Sequence, residues 1–306
     1  MNRLAEMEAL VAVVESGSFT AAAERLGANK SIVSRRVSQL EKRLGVRLLS
    51  RTTRRLSLTE SGQRYYQQVT VLLADLEEVE NGVMHAAGEL RGRIRLAAPL
   101  SFGLKHLSPA LGTFLRQHPA IELDLDLNDR EVNLVEEGFD MALRIGELVD
   151  STLVAKRIGR VRMLVCASGD YLQEYGEPRQ PRDLKQHLGL QYSNVSYRSQ
   201  WTFSEGPREL FGQPQIRMRA NNGDMLAAAA AAGLGIVAGP SFILADYIRR
   251  GELVQVLSEF ERPGTGLHAV FPPGRMTPRR ILELAGHLKG RFGENPYWDA
   301  GVFAET

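Results

Sequence analysis

Residues 18–59 carry the pattern that most restricts how this chain can fold. The alanine-rich segment from Phe19 to Leu26 predicts a short helix, and Ala22 and Ala23 leave room for a second helix to cross it closely. A glycine then ends this helix, and Asn29 is a residue type that often caps the start of the next one. The segment therefore predicts two short helices joined by a tight turn.

The second helix is predicted to have two faces of different chemistry. Its apolar residues at helical spacing are Val33, Val37, Leu40 and Leu44. They predict a buried face. The opposite face carries Lys30, Ser31, Ser34, Arg35 and Ser38. Such short or cationic side chains can approach phosphates and base edges in a DNA major groove, although an ordinary solvated helix is the alternative.

The charge of this region argues against an ordinary solvated helix. Residues 29–58 contain nine basic residues and the single acidic residue Glu41, whereas the formal net charge of the whole chain is only +2. A positive field this concentrated is typical of a surface that binds a polyanion. Just beyond the helix, segments 47–51 and 56–59 are apolar or alternating, and they predict a two-stranded wing with a basic tip.

The order SFTAAAERLGANKSIVSRRVSQLEKRLGVRLLSRTTRRLSLTESG resembles the N-terminal winged helix-turn-helix of LysR-type transcriptional regulators. The matching motifs are SFTAAA, S-x-x-S-R, LE-x-x-LG-x-R-L and the wing RTTRRLSLT-x-x-G, and many family members have Gln in place of Lys30. The resemblance implies that Phe19 to Ser38 form the motif pair and that double-stranded DNA is a partner. The expected DNA-binding residues are Ser18, Thr20, Lys30, Ser31, Ser34, Arg35, Ser38, Arg51, Arg54 and Arg55.

Residues 60–88 predict one long linker helix. Its apolar residues recur at alternating steps of four and three, and they are Tyr65, Val69, Leu72, Leu76, Val79 and Val83. This spacing is typical of a coiled-coil seam, so we predict that it joins two copies of the chain. The alternative is that the stripe packs on the chain's own effector domain. The resemblance implies that such dimers pair again into a tetramer, and contact with RNA polymerase is a further hypothesis.

From Arg93 onward, short predicted strands alternate with helices. The strands are predicted at 94–98, 121–127, 139–144, 162–167, 188–192, 215–219, 236–238 and 267–271. The helices are predicted at 104–118, 132–137, 170–175, 182–186, 225–232, 242–250 and 278–291. Such alternation predicts an α/β fold with a substantially parallel sheet, in two subdomains with a cleft between them.

The resemblance extends to this region, because the family's effector domain is similar to periplasmic binding proteins. Segments such as EGFDMALRIG and AAAAGLGIVAGPSF carry it. We therefore expect a multidomain α/β protein with a winged helix-turn-helix at 1–59, a linker helix at 60–88 and an effector domain at 89–306. Within the effector domain, subdomain I is expected at about 91–162 and 267–292, and subdomain II at about 163–263.

Two loops that follow predicted strands are the main candidates for binding a small effector. In α/β folds, ligands lie beyond the C-terminal ends of strands, near helix N-termini that offer free amides. The candidate residues are Ser101, Phe102, Asn128, Arg144, Tyr197, Trp201 and Asn222. A small organic acid is the hypothesised effector class. Structural alternatives remain: Ser101 and Asn222 cap helices, Arg144 pairs with Asp140 or Glu147, and Trp201 belongs to a core.

Other classes of function have little support in the sequence. The six histidines show no metal-binding spacing and no nucleophile-elbow motif is present, so we expect no catalytic site, metal or cofactor. Cys166 is the only cysteine, and with no signal-peptide pattern it favours a cytoplasmic protein. The uncharged stretch 225–245 is rich in Ala and Gly and contains Pro240, so no membrane partner is expected.

Two alternatives remain open beside DNA-binding regulation under effector control. The chain could be a small-molecule-binding protein whose basic N-terminal arm recruits a protein partner. It could also be a regulator that senses redox state through Cys166, although the apolar run around this residue favours a buried thiol.

Overall fold

The computed structural model describes residues 2–52, 55–84, 89–146, 153–194, 200–273 and 277–302. The side chains of residues 51, 52, 55, 56, 74, 75 and 77–84 are outside this description. The chain divides into two compact units. The first comprises Met1–Glu89 and Asn133–Gly138, and the second comprises Leu90–Val132 and Phe139–Thr306.

The first unit is a small helical bundle with a two-stranded wing. Its elements are α1 (Arg3–Ser16), α2 (Phe19–Arg25), α3 (Lys30–Leu44), β1 (Leu49–Thr52), β2 (Arg55–Leu58), α4 (Glu60–Met84) and α7 (Leu134–Glu137). Val33, Val37 and Leu40 of α3 are fully buried in a core shared with α1 and α2, and Ala22 is buried where the helices meet. The predicted motif helices, the wing and the buried face of α3 are confirmed.

Side-chain caps fix the starts of several helices in this unit, among them α2 and α4. The Ser18 hydroxyl accepts a hydrogen bond from the Ala21 amide at 3.1 Å, and the Thr59 hydroxyl accepts one from the Gly62 amide at 3.0 Å. Asn29 stands at the N-cap position of α3, but its side chain makes no capping hydrogen bond. The predicted N-cap position is confirmed, and the Asn29 carbonyl accepts from the Ile32 and Val33 amides.

The second unit contains two five-stranded mixed sheets. The first has strands β3 (Arg91–Ala98), β4 (Ala120–Leu127), β5 (Met141–Ile145), β6 (Val154–Val161) and β14 (Thr265–Phe271), in the order β4-β3-β5-β14-β6. The second has β7 (Met163–Ala167), β8 (Leu188–Tyr192), β11 (Gln215–Ala220), β12 (Ile236–Pro240) and β13 (Val254–Val256), in the order β11-β8-β12-β7-β13. We call the parts built on these sheets subdomain I and subdomain II.

Helices connect the strands, and a separate hairpin projects from subdomain II. The helices are α5 (Leu100–Phe102), α6 (Ser108–Gln117), α8 (Gly169–Tyr175), α9 (Gly223–Ala231), α10 (Ser241–Arg249) and α11 (Arg279–Phe292). The hairpin pairs β9 (Trp201–Glu205) with β10 (Arg208–Gly212). A π-helical turn at Gly103–Leu107 joins α5 to α6, so the helical path after β3 is continuous.

The predicted α/β architecture is confirmed, but the sheets are less parallel than expected. In subdomain I, β3 pairs in parallel with β4 and β5, whereas β14 pairs antiparallel with β5 and β6. Subdomain II repeats this division, because β7 pairs antiparallel with β12 and β13. Strands β6, β9, β10 and β13 were not predicted, since β6 and β10 lie at edges with exposed charged residues and β13 is only three residues long.

The uncharged stretch 225–245 contributes to helix α9, strand β12 and helix α10. The break at Gly235, with φ of +153°, divides the stretch where a Cβ atom would lie 2.6 Å from the Leu188 carbonyl oxygen. Among the described residues, no helix has both the length and the apolar character needed to cross a bilayer.

Leu40→Ala should destabilise the first unit. Leu40 is fully buried, and removing its side chain leaves a cavity, so the free energy of unfolding should fall by about 2–5 kcal/mol. Gln39→Ala, on the exposed face of the same helix, is the matched control and should change it by less than about 0.5 kcal/mol. Urea unfolding monitored by circular dichroism measures both. Equal stability of the two variants would contradict the assigned core.

Candidate nucleic-acid interface and effector cleft

The outer face of α3 has the composition and exposure that DNA binding requires. Lys30, Ser31, Arg35 and Ser38 are exposed and Ser34 is partly exposed. Thr20 on α2 is exposed as well. Ser18 is also at the surface, but its hydroxyl is already used to cap α2. The structure therefore brings the predicted α3 residues together on one face, and it gives Ser18 a structural contact that is sufficient to explain it.

One of the basic residues counted in this region is neutralised inside the unit. The Arg43 guanidinium donates two hydrogen bonds to one Glu6 carboxylate oxygen, at 2.9 and 3.1 Å, and Glu6 is only 2% exposed. Hydrogen bonding to Glu6 raises the pKa of Arg43, which keeps the pair charged. Among the described residues, Lys30, Arg35 and Lys42 form no salt bridge, so their charges remain available to a polyanion.

Glu41 ties the wing to α3, a role that sequence reasoning missed. One oxygen of its carboxylate accepts hydrogen bonds from the amides of Leu48 and Leu49, at 2.8 and 3.0 Å. Thr59 closes the other side of the wing by donating its hydroxyl to the Arg47 carbonyl at 2.7 Å. The signal in the sequence was that Glu41 is the only acid among residues 29–58.

The wing is an antiparallel pair in which Arg51 lies opposite Leu56 and Thr52 opposite Arg55. The remaining predicted DNA-binding residues are Arg51, Arg54 and Arg55. Arg54 lies outside the described residues, and so do the side chains of Arg51 and Arg55.

The predicted dimer seam on α4 divides into a covered part and an open part. Tyr65 packs against the core of α1, α2 and α3, and Val69 is only 4% exposed within a single chain. Leu72 is 53% exposed, and Leu76 is partly exposed. The side chains of Val79 and Val83 lie outside the described residues. Tyr65 and Val69 therefore contribute to the fold of their own chain, whereas Leu72 is more than half exposed.

In the second unit, Ser101 and Asn222 contact each other between the two subdomains, where the sequence predicts a cleft. The Asn222 side-chain amide donates to the Ser101 hydroxyl at 3.4 Å, and its carbonyl oxygen accepts from the Met225 amide at 3.0 Å. Asn222 therefore both caps α9 and faces subdomain I. Ser101 is only 4% exposed. A salt bridge of 2.8 Å between Lys105 and Asp224 lies beside this contact.

A second group of cleft residues was missed by sequence reasoning. The Asp129 carboxylate accepts from the Leu100 amide at 2.9 Å, and the Asn194 side chain donates to the Asp129 carbonyl at 3.0 Å. Burial, together with the negative charge of Asp129, raises the pKa of Tyr192 to about 12. These residues follow β4 and β8, so the rule that ligand sites lie at strand ends would have found them.

Phe102, Arg144, Trp201 and Asn128 are engaged by their own chain. Phe102 is fully buried among aromatic rings, and its contact with an effector stays a prediction. Arg144 donates to Glu131 at 2.8 Å and to the Val132 carbonyl at 3.0 Å, and the alternative partner Glu147 lies outside the described residues. Trp201 is 9% exposed in a core of subdomain II, and its indole donates to Gln191 at 3.1 Å.

Asn128 makes local hydrogen bonds at the end of β4. Its amide donates to Asp126 at 2.6 Å, and its carbonyl oxygen accepts from the Arg130 amide at 3.1 Å. Tyr197 lies outside the described residues. Of the seven predicted effector residues, Ser101 and Asn222 are thus the pair that the structure brings together.

The described residues contain no group of three or more His, Cys, Asp or Glu side chains that could hold a metal ion. Cys166 lies fully buried on β7. Burial, with a smaller contribution from the negative charge of Glu261, raises the pKa of the Cys166 thiol to about 12. The thiolate needed for redox chemistry is therefore nearly absent at neutral pH, and the structure gives no support to sensing through this residue.

Comparison with known proteins matches both units. Residues 4–63 match the model of the bacterial regulatory helix-turn-helix proteins of the lysR family, and residues 87–293 match the LysR substrate binding domain. An uncharacterised helix-turn-helix regulator of Haemophilus influenzae is 36% identical over 93% of this chain and 99% of its own. A transcriptional repressor of Pseudomonas aeruginosa is 36% identical over 97% of this chain and 94% of its own.

Solved structures agree with these matches. The LysR-type transcriptional regulator CrgA from Neisseria meningitidis superposes with a TM-score of 0.60 at 31% identity, over 94% of this chain and 98% of its own. The full-length virulence activator AphB from Vibrio cholerae superposes with a TM-score of 0.56 at 26% identity, over 93% of this chain and 98% of its own.

Cys166 should resist alkylation in the native protein. With its pKa raised to about 12, the thiol should react with iodoacetamide at pH 8 at least about tenfold more slowly than in urea-unfolded protein, where it is exposed and near its ordinary pKa. Mass spectrometry of timed samples gives both rates. Equal rates would show that the thiol is accessible and reactive and would restore the redox hypothesis.

Proposed function

The chain belongs to the LysR-type transcriptional regulators, and on that premise we propose that α3 and the wing recognise operator DNA while a small organic acid binds between Ser101 and Asn222. The observation that carries the first part is the outer face of α3, where Lys30 and Arg35 are exposed without a salt bridge among the described residues. A regulator of this type has a helix-turn-helix domain and an effector-binding domain.

The geometry of the first unit supports different roles for α3 and the wing in DNA binding. Ser34 and Arg35 stand in the middle of α3, where a recognition helix reads base edges in the major groove. Arg51, Arg54 and Arg55 belong to the wing, where cations contact phosphates or the minor groove. Glu41 holds the wing to α3, so both elements would dock as one rigid surface.

The proposed assembly is a homodimer through α4. Leu72 is an exposed large apolar residue at the position the seam predicts, and burying it against a partner removes apolar surface from water. A dimer would present two reading heads to one duplex, and pairing of dimers would give a tetramer. RNA polymerase is the partner whose recruitment such binding would change. In this proposal residues 1–59, 60–88 and 89–306 bind DNA, dimerise and bind effector, respectively.

The cleft supports an effector that carries a hydrogen-bond acceptor. The Asn222 amide donates to the Ser101 hydroxyl at 3.4 Å, and both groups could donate instead to a carboxylate that replaces this contact. Asp129 already occupies the amide of Leu100, so these two side chains, rather than that amide, would provide the contacts. Such an acid would change the angle between the subdomains only if it binds two conformations, which differ in that angle, with different affinity.

Arg35→Ala should reduce discrimination between operator and random DNA, because it removes a side chain facing base edges. The loss of binding free energy should be about 1–3 kcal/mol for operator DNA and much smaller for random duplex. Arg54→Ala and Arg55→Ala should instead weaken binding to operator and random DNA alike. Each should lower the slope of log affinity against log salt concentration by about one per lost phosphate contact. Gel-shift titrations at two salt concentrations, with a fragment selected from genomic DNA, measure these effects.

Arg208→Ala, on the exposed hairpin of subdomain II, is the matched control and should leave DNA affinity unchanged. If the Arg54 and Arg55 variants both bind like the wild type, the wing does not contact DNA. If Arg35→Ala weakens operator and random duplex equally, α3 does not read sequence.

Calorimetry with aromatic and aliphatic carboxylates and their neutral amides tests the effector class. At least one carboxylate should bind better than its amide. Ser101→Ala should lower that affinity about five- to tenfold, since one hydrogen bond contributes about 1 kcal/mol. Asn222→Asp keeps an oxygen that can cap α9 but places a negative charge next to the bound carboxylate. Because the two charges repel, this variant should lower the affinity more than tenfold. Binding of cations or sugars alone would contradict the proposal.

A further inference from the structure

The segment at 294–302 follows α11 and lies beyond residues 87–293, which match the LysR substrate binding domain. Gly293, the residue immediately before it, turns the chain with a φ of +58°. The Gly293 carbonyl accepts from the Arg160 amide at 3.1 Å, and the Gly293 amide donates to the Ile158 carbonyl at 3.2 Å. The start of the segment is therefore anchored to β6 of subdomain I.

Trp298 packs into the aromatic cluster where the two subdomains meet. It is 3% exposed, and its ring centroid lies 5.7 Å from that of Phe102 and 5.7 Å from that of Phe292, both in subdomain I. Its ring centroid also lies 6.3 Å from that of Phe242, which belongs to α10 of subdomain II and which packs directly on Phe102 at 5.2 Å. A single side chain thus contacts aromatic rings from both subdomains, in the tilted and edge-on geometries that favour such pairs.

Polar contacts hold the same junction. His106 of subdomain I lies 3.0 Å from the Phe242 carbonyl through Nε2 and 2.8 Å from the Tyr297 hydroxyl through Nδ1. A carbonyl only accepts, so Nε2 carries the proton and Nδ1 accepts from Tyr297. Burial lowers the pKa of His106, which favours this neutral form at neutral pH. The histidine therefore bonds to subdomain II and to the segment at once.

Subdomain II also binds the segment directly. The Arg249 guanidinium on α10 donates to the Trp298 carbonyl and, at 3.4 Å, to the Ala300 carbonyl. With the anchor at Gly293, the segment is fastened to β6 of subdomain I at one end and to α10 of subdomain II at the other.

We propose that residues 294–302 form a strap that fixes the angle between subdomains I and II, with Trp298 as its positioning residue. The strap acts on the cleft because Trp298 packs on Phe102, the residue that follows Ser101, and on Phe242, which lies on the helix that follows β12. Only this last step, from subdomain angle to Ser101 and Asn222, rests on the proposed effector site.

The subdomain angle can be measured without knowing the effector. Gln117→Cys on α6 and Gln173→Cys on α8 are exposed label sites in subdomains I and II, and Cys166 is buried and stays unlabelled. Double electron–electron resonance on the full chain, diluted with unlabelled protein, gives the distance distribution within one chain. With Trp298→Ala this distribution should broaden or shift by several ångströms, and with Trp298→Phe, which keeps a ring, it should stay close to that of the wild type.

Phe211→Ala is the control for losing an aromatic ring, because Phe211 is 49% exposed on the hairpin, and it should leave the distribution unchanged. A folded Trp298→Ala protein with the narrow wild-type distribution would overturn the proposal. If that variant fails to fold, Tyr297→Phe and Arg249→Gln decide, since each removes one polar fastening of the strap. Unchanged distributions in both would then overturn it.

The outcome is independent of the proposed function. If the distribution broadens in Trp298→Ala but no carboxylate binds the wild type, the proposed strap is supported and the proposed effector class is contradicted. If carboxylates bind the wild type, and Trp298→Ala changes neither the distance distribution nor the affinity for carboxylates, the proposed strap is contradicted and the proposed effector site is supported. Operator binding by the Trp298→Ala variant reports separately on the first unit.

Discussion

Burial of one face of α3 is the constraint on which the DNA-binding surface depends. Val33, Val37 and Leu40 are fully buried against α1 and α2, so the other face of the helix must point to solvent with Lys30 and Arg35 on it. The apolar contacts set the orientation, and the cations provide the long-range attraction to a polyanion. The Glu41 carboxylate then extends the surface, because it fixes the first residues of the wing to the same helix.

The second unit uses a different principle, in which polar contacts close a cleft and aromatic packing sets its angle. The pairs Ser101–Asn222, Asn194–Asp129 and Lys105–Asp224 join opposite sides of the cleft through contacts that a ligand can replace. The aromatic junction around Trp298 is buried and offers no such exchange. We infer that an effector works by competing for the polar pairs, while the aromatic junction limits the range of angles open to the subdomains.

The sequence predicted the parts of this molecule that follow from periodicity and local charge. The motif helices, the wing and the alternation of strands and helices all have such patterns. The sequence did not predict the surroundings of individual side chains where these depend on tertiary packing. Phe102 and Ser101 are neighbours in the sequence and both are buried, but Phe102 packs on aromatic rings whereas Ser101 bonds to Asn222 of subdomain II. Tyr65 fits a seam yet packs on its own bundle, and Asp129 gave no signal apart from its place after a strand.

The central claim is that α3 reads operator DNA from the major groove. Methylation interference tests it directly on a fragment selected by the full-length protein from genomic DNA, because methylated guanine N7 lies in the major groove and methylated adenine N3 in the minor groove. We expect guanine N7 methylation within the protected sequence to prevent binding. Interference confined to adenine N3, or absent altogether, would contradict the claim.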